Sequence, residues 1–293
     1  MNAFMCRFIA CLLAALPCTL GLAPAGAVTT PEPAQHIYAP RLGAPRSRAS
    51  DPHLDYYGGR VLGHVKVDIV VWDRWSYGRS AHLTGSRSVE SFLKAVTASP
   101  YVDWLDEYDT PSQHIGRGGV EGVYTVHAPA ADDGATITSN EIDDALRSLI
   151  AGQQLPKPGT TRLYAIFFPS RKTISTPDGD SVSDFCAYHD TTTSGRSTVY
   201  YAVMPYEVSN RGCKMASTWF DSLTTVVSHE LLEAITDPGV GLHRVAWYDR
   251  DNGEIADICA FTSSPARIVG ADGVSYTVQR AWSNRRSMCV AGP

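Results

Sequence analysis

The sequence predicts an α/β or α+β domain built on one main mixed sheet and stapled by disulfides. Two patterns predict the layout. Strand-like apolar runs alternate with helical stretches through the first two-thirds of the chain, and the C-terminal part turns hairpin-like. A third observation predicts the staples. Of seven cysteines, only Cys186, Cys213, Cys259 and Cys289 lie beyond the N-terminal apolar segment. An even number in an exported chain suggests disulfides.

The apolar segment comes first. Arg7 is followed by "FIACLLAALPCTLGLA", which closes on "APAGA" with small residues at Ala25 and Ala27. That is a secretory signal peptide over residues 1–27. Pro17 and Thr19 interrupt the run, which is short for a span of about 20 residues. Pro17 also argues against a lipid attachment at Cys18. Residues 28–52 are rich in Pro, Ala and Arg and read as a flexible linker or short propeptide. Residues 53–293 form the folded domain.

In that domain, Val65, Val67, Ile69 and Val71 alternate and predict a strand. Its nearly continuous apolar end suggests a central place in the sheet. Ser88 caps a helix carrying Phe92, Leu93 and Val96. "GVYTVHA" is a short strand, and "ATIT" is a strand end. A helix follows with Ser139 or Asn140 as cap and Gly152 as stop. "TRLYAIFFP" and "RSTVYYAVMP" are strands, separated by a long polar loop, "SRKTISTPDGDSVSDFCAYHDTTTSG". "VVSHELLEAITDP" is a helix stopped by Asp237-Pro238, with Asp237 facing water at its end. "WYDRDNGEIADIC" reads as a hairpin turning at Asn252-Gly253. In its returning strand Ile255, Asp257 and Cys259 share a face, with Glu254 on the opposite one. Sequence proximity pairs Cys186 with Cys213 and Cys259 with Cys289.

The formal net charge is −5, with no basic stripe to follow a phosphate backbone. Nucleic acid is therefore not an expected partner, and no second stretch would hold the chain in a membrane after signal cleavage.

The chemistry concentrates in the helix. Residues four apart lie about 40° apart around a helix axis, so His229 and Glu233 project together. Imidazole nitrogen and carboxylate oxygen both ligate zinc. Glu230 holds the position from which zinc proteases use a glutamate as general base. An acid between an isoleucine and a cystine needs a cation partner, which makes Asp257 the third ligand. Asp237 and His189 are additional ligand candidates. His189 and Tyr248 are candidates for stabilising a transition state. A histidine capping the polar loop is the plainer reading of His189, and core packing that of Tyr248. "DRDNGE" lacks a ligand needed for a calcium loop, and no G-x-S-x-G occurs.

"YYGGRVLGHVKVDIVVWD", "FCAYHD", "VVSHELLEAITDP" and "GEIADIC" resemble, in that order, segments of the Exordium/phosphate-induced-protein family. Exported bacterial relatives carry a similar S-H-E-x-x-E-A-x-T-D-P segment. The resemblance spans about Tyr56 to Cys259. It implies an exported α/β domain with a zincin-like helix, whereas plant members often have altered residues around His-Glu. The expected function is an exported zinc-dependent peptidase acting on peptide or protein substrates, secreted or periplasmic. The alternative is a non-catalytic extracellular or cell-wall binding or signalling protein with a structural metal or none.

Overall fold

The computed structural model describes residues 38–40, 51–72, 87–127, 135–169, 172–205, 211–240, 245–260 and 262–293. These fall in one compact unit, residues 33–293. The signal peptide expected over residues 1–27 and most of the 28–52 segment lie outside the described residues.

Six strands form the main sheet: β1 (Tyr38–Pro40), β2 (His64–Trp72), β3 (Gly116–Val126), β4 (Arg162–Phe167), β5 (Phe185–Ser194) and β6 (Ser197–Met204). Their order is β1-β5-β6-β4-β2-β3. Strands β6, β4, β2 and β3 are mutually parallel neighbours. Strand β5 runs antiparallel to β6, and β1 antiparallel to β5. The sheet is thus mixed, with β2 internal, as its apolar run predicts. Tyr38–Pro40, read as linker, is an edge strand: its backbone satisfies the open side of β5. Between β5 and β6 only two residues turn, and Gly195 has φ +62°. A two-residue hairpin of this hand requires positive φ at that corner, which glycine accepts without a Cβ clash.

Among the described residues four α-helices cover the sheet: α1 (Val89–Thr97), α2 (Pro100–Asp103), α3 (Ser139–Ala151) and α4 (Trp219–Thr236). Ser88 caps α1 through Ser91 N. The cap of α3 is Thr138, not Ser139 or Asn140, and Gly152 ends the helix. Glu141 decides this, because its carboxylate reaches back to Thr138 N (2.8 Å) in a capping box.

Side-chain alternation divides the core. Val65, Val67 and Ile69 join Ala165, Ala187 and Ala202 beneath α1 and α4. Val70, Tyr164, Ile166, Tyr188 and Tyr201 join Ile142, Leu146 and Leu149 of α3 on the other face. The result is a three-layer helix–sheet–helix arrangement. Each fully buried valine or isoleucine of β2 stabilises it by about 1.5–3 kcal/mol. Helix α4 is buried all round: of its residues only Trp219 and Leu223 escape full burial.

Cys186–Cys213 and Cys259–Cys289 are bonded, the pairing expected from sequence proximity. Such bonds belong to oxidising compartments. No described helix is long and apolar enough to cross a membrane.

Two sequence expectations are corrected here. The long polar loop contains short strands Thr173–Thr176 and Gly179–Asp180, and its second half is β5 itself. The predicted hairpin at Asn252-Gly253 does not form. Trp247–Tyr248 pairs instead with Asp55–Tyr56. A wider turn is closed by mutual Asp249–Gly253 backbone bonds (3.0 and 2.8 Å). The Asp249 carboxylate accepts from Asp251 N and Asn252 N and so competes with strand continuation. Asp257–Cys259 is a 3-10 turn rather than a returning strand.

Candidate metal centre

Helix α4 aims His229, Glu230 and Glu233 into the interior, and Asp237 ends it as C-cap. Strand β5 contributes His189, on the same face as Ala187 and therefore toward α4. The turn after Gly253 supplies Glu254 and Asp257. These seven ionisable residues are each at most 2% exposed. Five carboxyl groups thus meet two imidazoles out of water, a costly arrangement unless protons or a cation balance it.

Gln279 organises one half of the cluster. Its Nε2 donates to Ala256 O (2.6 Å), leaving Oε1 to accept from His229 Nδ1 (3.0 Å). The Gln279 backbone is held in turn by Ser228 Oγ and Tyr101 OH (2.9 and 2.7 Å). With Nδ1 committed as donor, His229 Nε2 faces Glu233 Oε1 at 3.1 Å and Asp257 Oδ1 at 3.9 Å. His229 Nε2 makes no well-aligned hydrogen bond. Asp257 N donates to Glu233 Oε1 (3.1 Å), which ties the 3-10 turn to the helix.

The other half is built alike. His189 Nε2 donates to the backbone carbonyl of Asp237 (3.1 Å). His189 Nδ1 then faces Glu230 Oε2 at 3.3 Å and Glu233 Oε2 at 3.7 Å. Glu254 Oε1 lies 3.4 Å from His189 Nε2. Glu230 Oε1, Glu233 Oε2 and both Glu254 oxygens are buried with no hydrogen-bond partner.

Among the described residues, two groups of three could hold a metal ion: His229, Glu233 and Asp257, and His189, Glu230 and Glu233. In each, the ligand atoms all lie within 4.8 Å of one another.

Burial and mutual charge set the ionisation. Burial pushes His229 down, but Glu233, Glu230 and Asp257 outweigh it and lift the imidazole to about 10. His189 likewise resists burial, because Glu254 and Glu230 hold it well above the usual imidazole range. Burial raises Glu230, against the hydrogen bond from His189. It raises Glu254 strongly, and Asp237 to about 7. Without a cation, the cluster therefore holds protons tightly.

The sequence-predicted residues mostly converge here. His229, Glu230, Glu233 and Asp257 meet, although Asp257 arrives on a turn. His189 is no surface loop cap; it sits at the centre of the cluster. Asp237 does not face water: it is fully buried, and its Oδ1 accepts from Ala246 N (2.6 Å). Tyr248 is half-buried in the strand paired with Asp55. Glu254, assigned to the far face of a hairpin, is the acid missed. Gln279 was missed too, and a lone amide just past the strand Ser275–Val278 carries no sequence signal. For His189 a signal existed: Thr and aromatic residues in "FCAYHDTTTS" favour a strand.

No protein-family model, curated protein or solved structure matches the chain.

Proposed function

We propose that this protein is an exported, zinc-dependent hydrolase acting on peptide bonds, with His229, Glu233 and Asp257 as metal ligands and Glu230 as general base. One observation carries the reading. His229 has its Nδ1 committed to Gln279, and its Nε2 points at carboxylate oxygens of Glu233 and Asp257. A lone pair aimed at carboxylates is repelled unless a proton or a metal ion lies between them; a proton fills that place in the metal-free cluster, and a metal ion would displace it. Ligands on a tetrahedral zinc sit roughly 3.3–3.5 Å from one another, given bonds of about 2.0–2.2 Å. The 3.1 and 3.9 Å separations bracket that edge. A neutral imidazole with two carboxylates is also an ordinary zinc donor set.

A zinc ion held there lowers the pKa of a water ligand towards about 7 and polarises a carbonyl. The chain's own residues do the rest. Glu230 Oε1, buried and without a hydrogen bond, accepts the proton that water loses on attacking the scissile carbonyl. His189 orients Glu230 through Oε2, leaving Oε1 as the proton acceptor. Glu230 then returns the proton to the leaving amine. The two disulfides, and the export signal implied by the N-terminus and by the Exordium-type resemblance, favour an extracellular or periplasmic setting.

The burial of every residue in the cluster favours a second reading. In it the same ion is structural, and the protein acts at the cell wall or surface as a binding or signalling module. One experiment separates them. Metal content of the purified protein is measured, followed by casein turnover with and without chelator. The hydrolase reading expects zinc together with chelator-sensitive turnover. Zinc without turnover selects the structural reading, and a protein with no affinity for zinc removes both.

A further inference from the structure

The cluster contains two half-sites of the same design. In each, one imidazole nitrogen is committed to a neutral acceptor: Gln279 Oε1 for His229, and the Asp237 carbonyl for His189. In each, the other nitrogen faces two carboxylate oxygens, one of them from Glu233. Glu233 presents Oε1 to His229 and Oε2 to His189. A carboxylate that turns its two oxygens toward two such positions has the form of a bridging ligand, which in two-metal sites joins ions about 3.5–4 Å apart. Glu233 Oε2 is fully buried, makes no hydrogen bond and is aimed into the second position.

We infer that the cluster has a second divalent-cation position, formed by His189 Nδ1, Glu230 Oε2 and Glu233 Oε2, and that filling it switches hydrolysis off. The inference rests on the metal reading of the His229 position. The chemistry follows from Glu230. In the singly loaded protein Glu230 is the base. An ion bound through Oε2 takes the place of the His189 contact and draws charge from the carboxylate, so Oε1 becomes a far poorer proton acceptor. A mixed imidazole–carboxylate set suits zinc and neighbouring transition metals better than calcium, which takes six to eight oxygens. Glu254, with neither oxygen hydrogen-bonded and Oε1 3.4 Å from His189 Nε2, adds the negative charge that makes a second cation tolerable. The competing occupant is a proton on His189 Nδ1, facing Glu230 and Glu233. The first ion activates and the second inhibits, so activity passes through a maximum as free zinc rises.

The test is stoichiometry. The chelator-stripped protein is dialysed to equilibrium against graded Zn²⁺, and bound metal is measured beside turnover. Wild type should bind two equivalents, and filling the second should lower turnover by about 10²–10⁴-fold, the usual contribution of a general base. His189→Gln should bind one equivalent, and bound metal is its readout because His189 also orients Glu230. If His189→Gln fails to fold by circular dichroism, Glu230→Gln carries the same test, with at least a tenfold weaker second equivalent. A single equivalent in wild type, kept by His189→Gln but lost in His229→Gln, overturns the second position and leaves the first intact. A single equivalent lost in His189→Gln, or two equivalents retained by it, overturns the placement. No binding at all removes both readings together.

Discussion

Replacing Gln279 by leucine tests the metal centre without touching a proposed ligand. Leucine fills nearly the same space but can neither accept from His229 Nδ1 nor donate to Ala256 O. The two bonds lost are 3.0 and 2.6 Å long, and both are buried. His229 then has no fixed donor nitrogen, and its ring is free to turn Nε2 away from Glu233 and Asp257. Removing such an outer partner of a ligating histidine weakens metal binding by roughly 10–100-fold. Since a tenfold change is about 1.4 kcal/mol, the expected loss is about 1.4–2.8 kcal/mol of zinc binding. Leaving the Ala256 carbonyl and the His229 N–H unsatisfied costs a further ~1–3 kcal/mol each in folding stability. Zinc affinity is read by competition with a chromogenic chelator, and stability by thermal unfolding of the stripped protein. A zinc Kd unchanged within twofold, in a variant that does lose stability, would falsify the assignment of His229 Nε2 as a ligand.

Glu230→Gln should keep zinc at the His229 position and lower turnover by about 10²–10⁴-fold, and wild-type turnover would remove Glu230 as base. Asp257→Asn should weaken zinc binding more than Asp237→Asn, because an amide oxygen at residue 237 still accepts from Ala246 N; a zinc titration giving the reverse order assigns Asp237 as the ligand. For the metal-stripped protein, stability should fall as pH rises. Asp237 is raised from 3.8 to about 7 and His229 from 6.5 to about 10, so both bind protons more tightly folded than unfolded. The Asp237 contribution is intact below pH 3.8 and lost as pH rises through 7; that of His229 is intact below 6.5 and lost through 10. A stripped protein that melts higher at pH 9 than at pH 5 contradicts this. Native protein should show no alkylatable thiol, and the double change Cys259→Ser, Cys289→Ser should cost about 2–5 kcal/mol of stability and weaken zinc binding as well, since the bond anchors the turn carrying Asp257. Zinc affinity unchanged in that variant would mean the turn holds its place without the bond.

The elements that the sequence made legible are those where one local rule dominates. Val65, Val67, Ile69 and Val71 recur at every second position because successive side chains of a strand point to opposite faces, and Ser88 starts a helix because its hydroxyl accepts from Ser91 N. His229, Glu230 and Glu233 were legible from helical spacing alone. Strand β5 was hidden because the residues His189 to Ser194 are polar. That polarity is tolerated by specific partners: Thr191 Oγ1 donates to Val240 O, and the Asp190 carboxylate accepts from Tyr201 OH. Asp257 was found by a mistaken route. The acid does need a partner, but it reaches Glu233 on a 3-10 turn, a geometry that strand alternation cannot anticipate. Glu254 and the burial of Asp237 depend on contacts across many residues, and no periodicity carries them.

The cluster draws on β5, on α4, on the turn at Glu254–Asp257 and on Gln279, so ninety residues separate its first member from its last. Closing so long a stretch is slow compared with forming the helix itself. Of the three proposed ligands the helix supplies His229 and Glu233, and Asp257 arrives on the later turn. An ion therefore has no complete cradle until the turn with Asp257 and the segment following strand Ser275–Val278 dock and bring Gln279 to His229. A chain emerging at the far side of a membrane would pass most of its assembly without metal and take it up as one of the last events. Loss of the final fifteen residues would remove Gln279 together with Cys289. Such a chain would have the signature motif intact and nothing to hold its histidine in line.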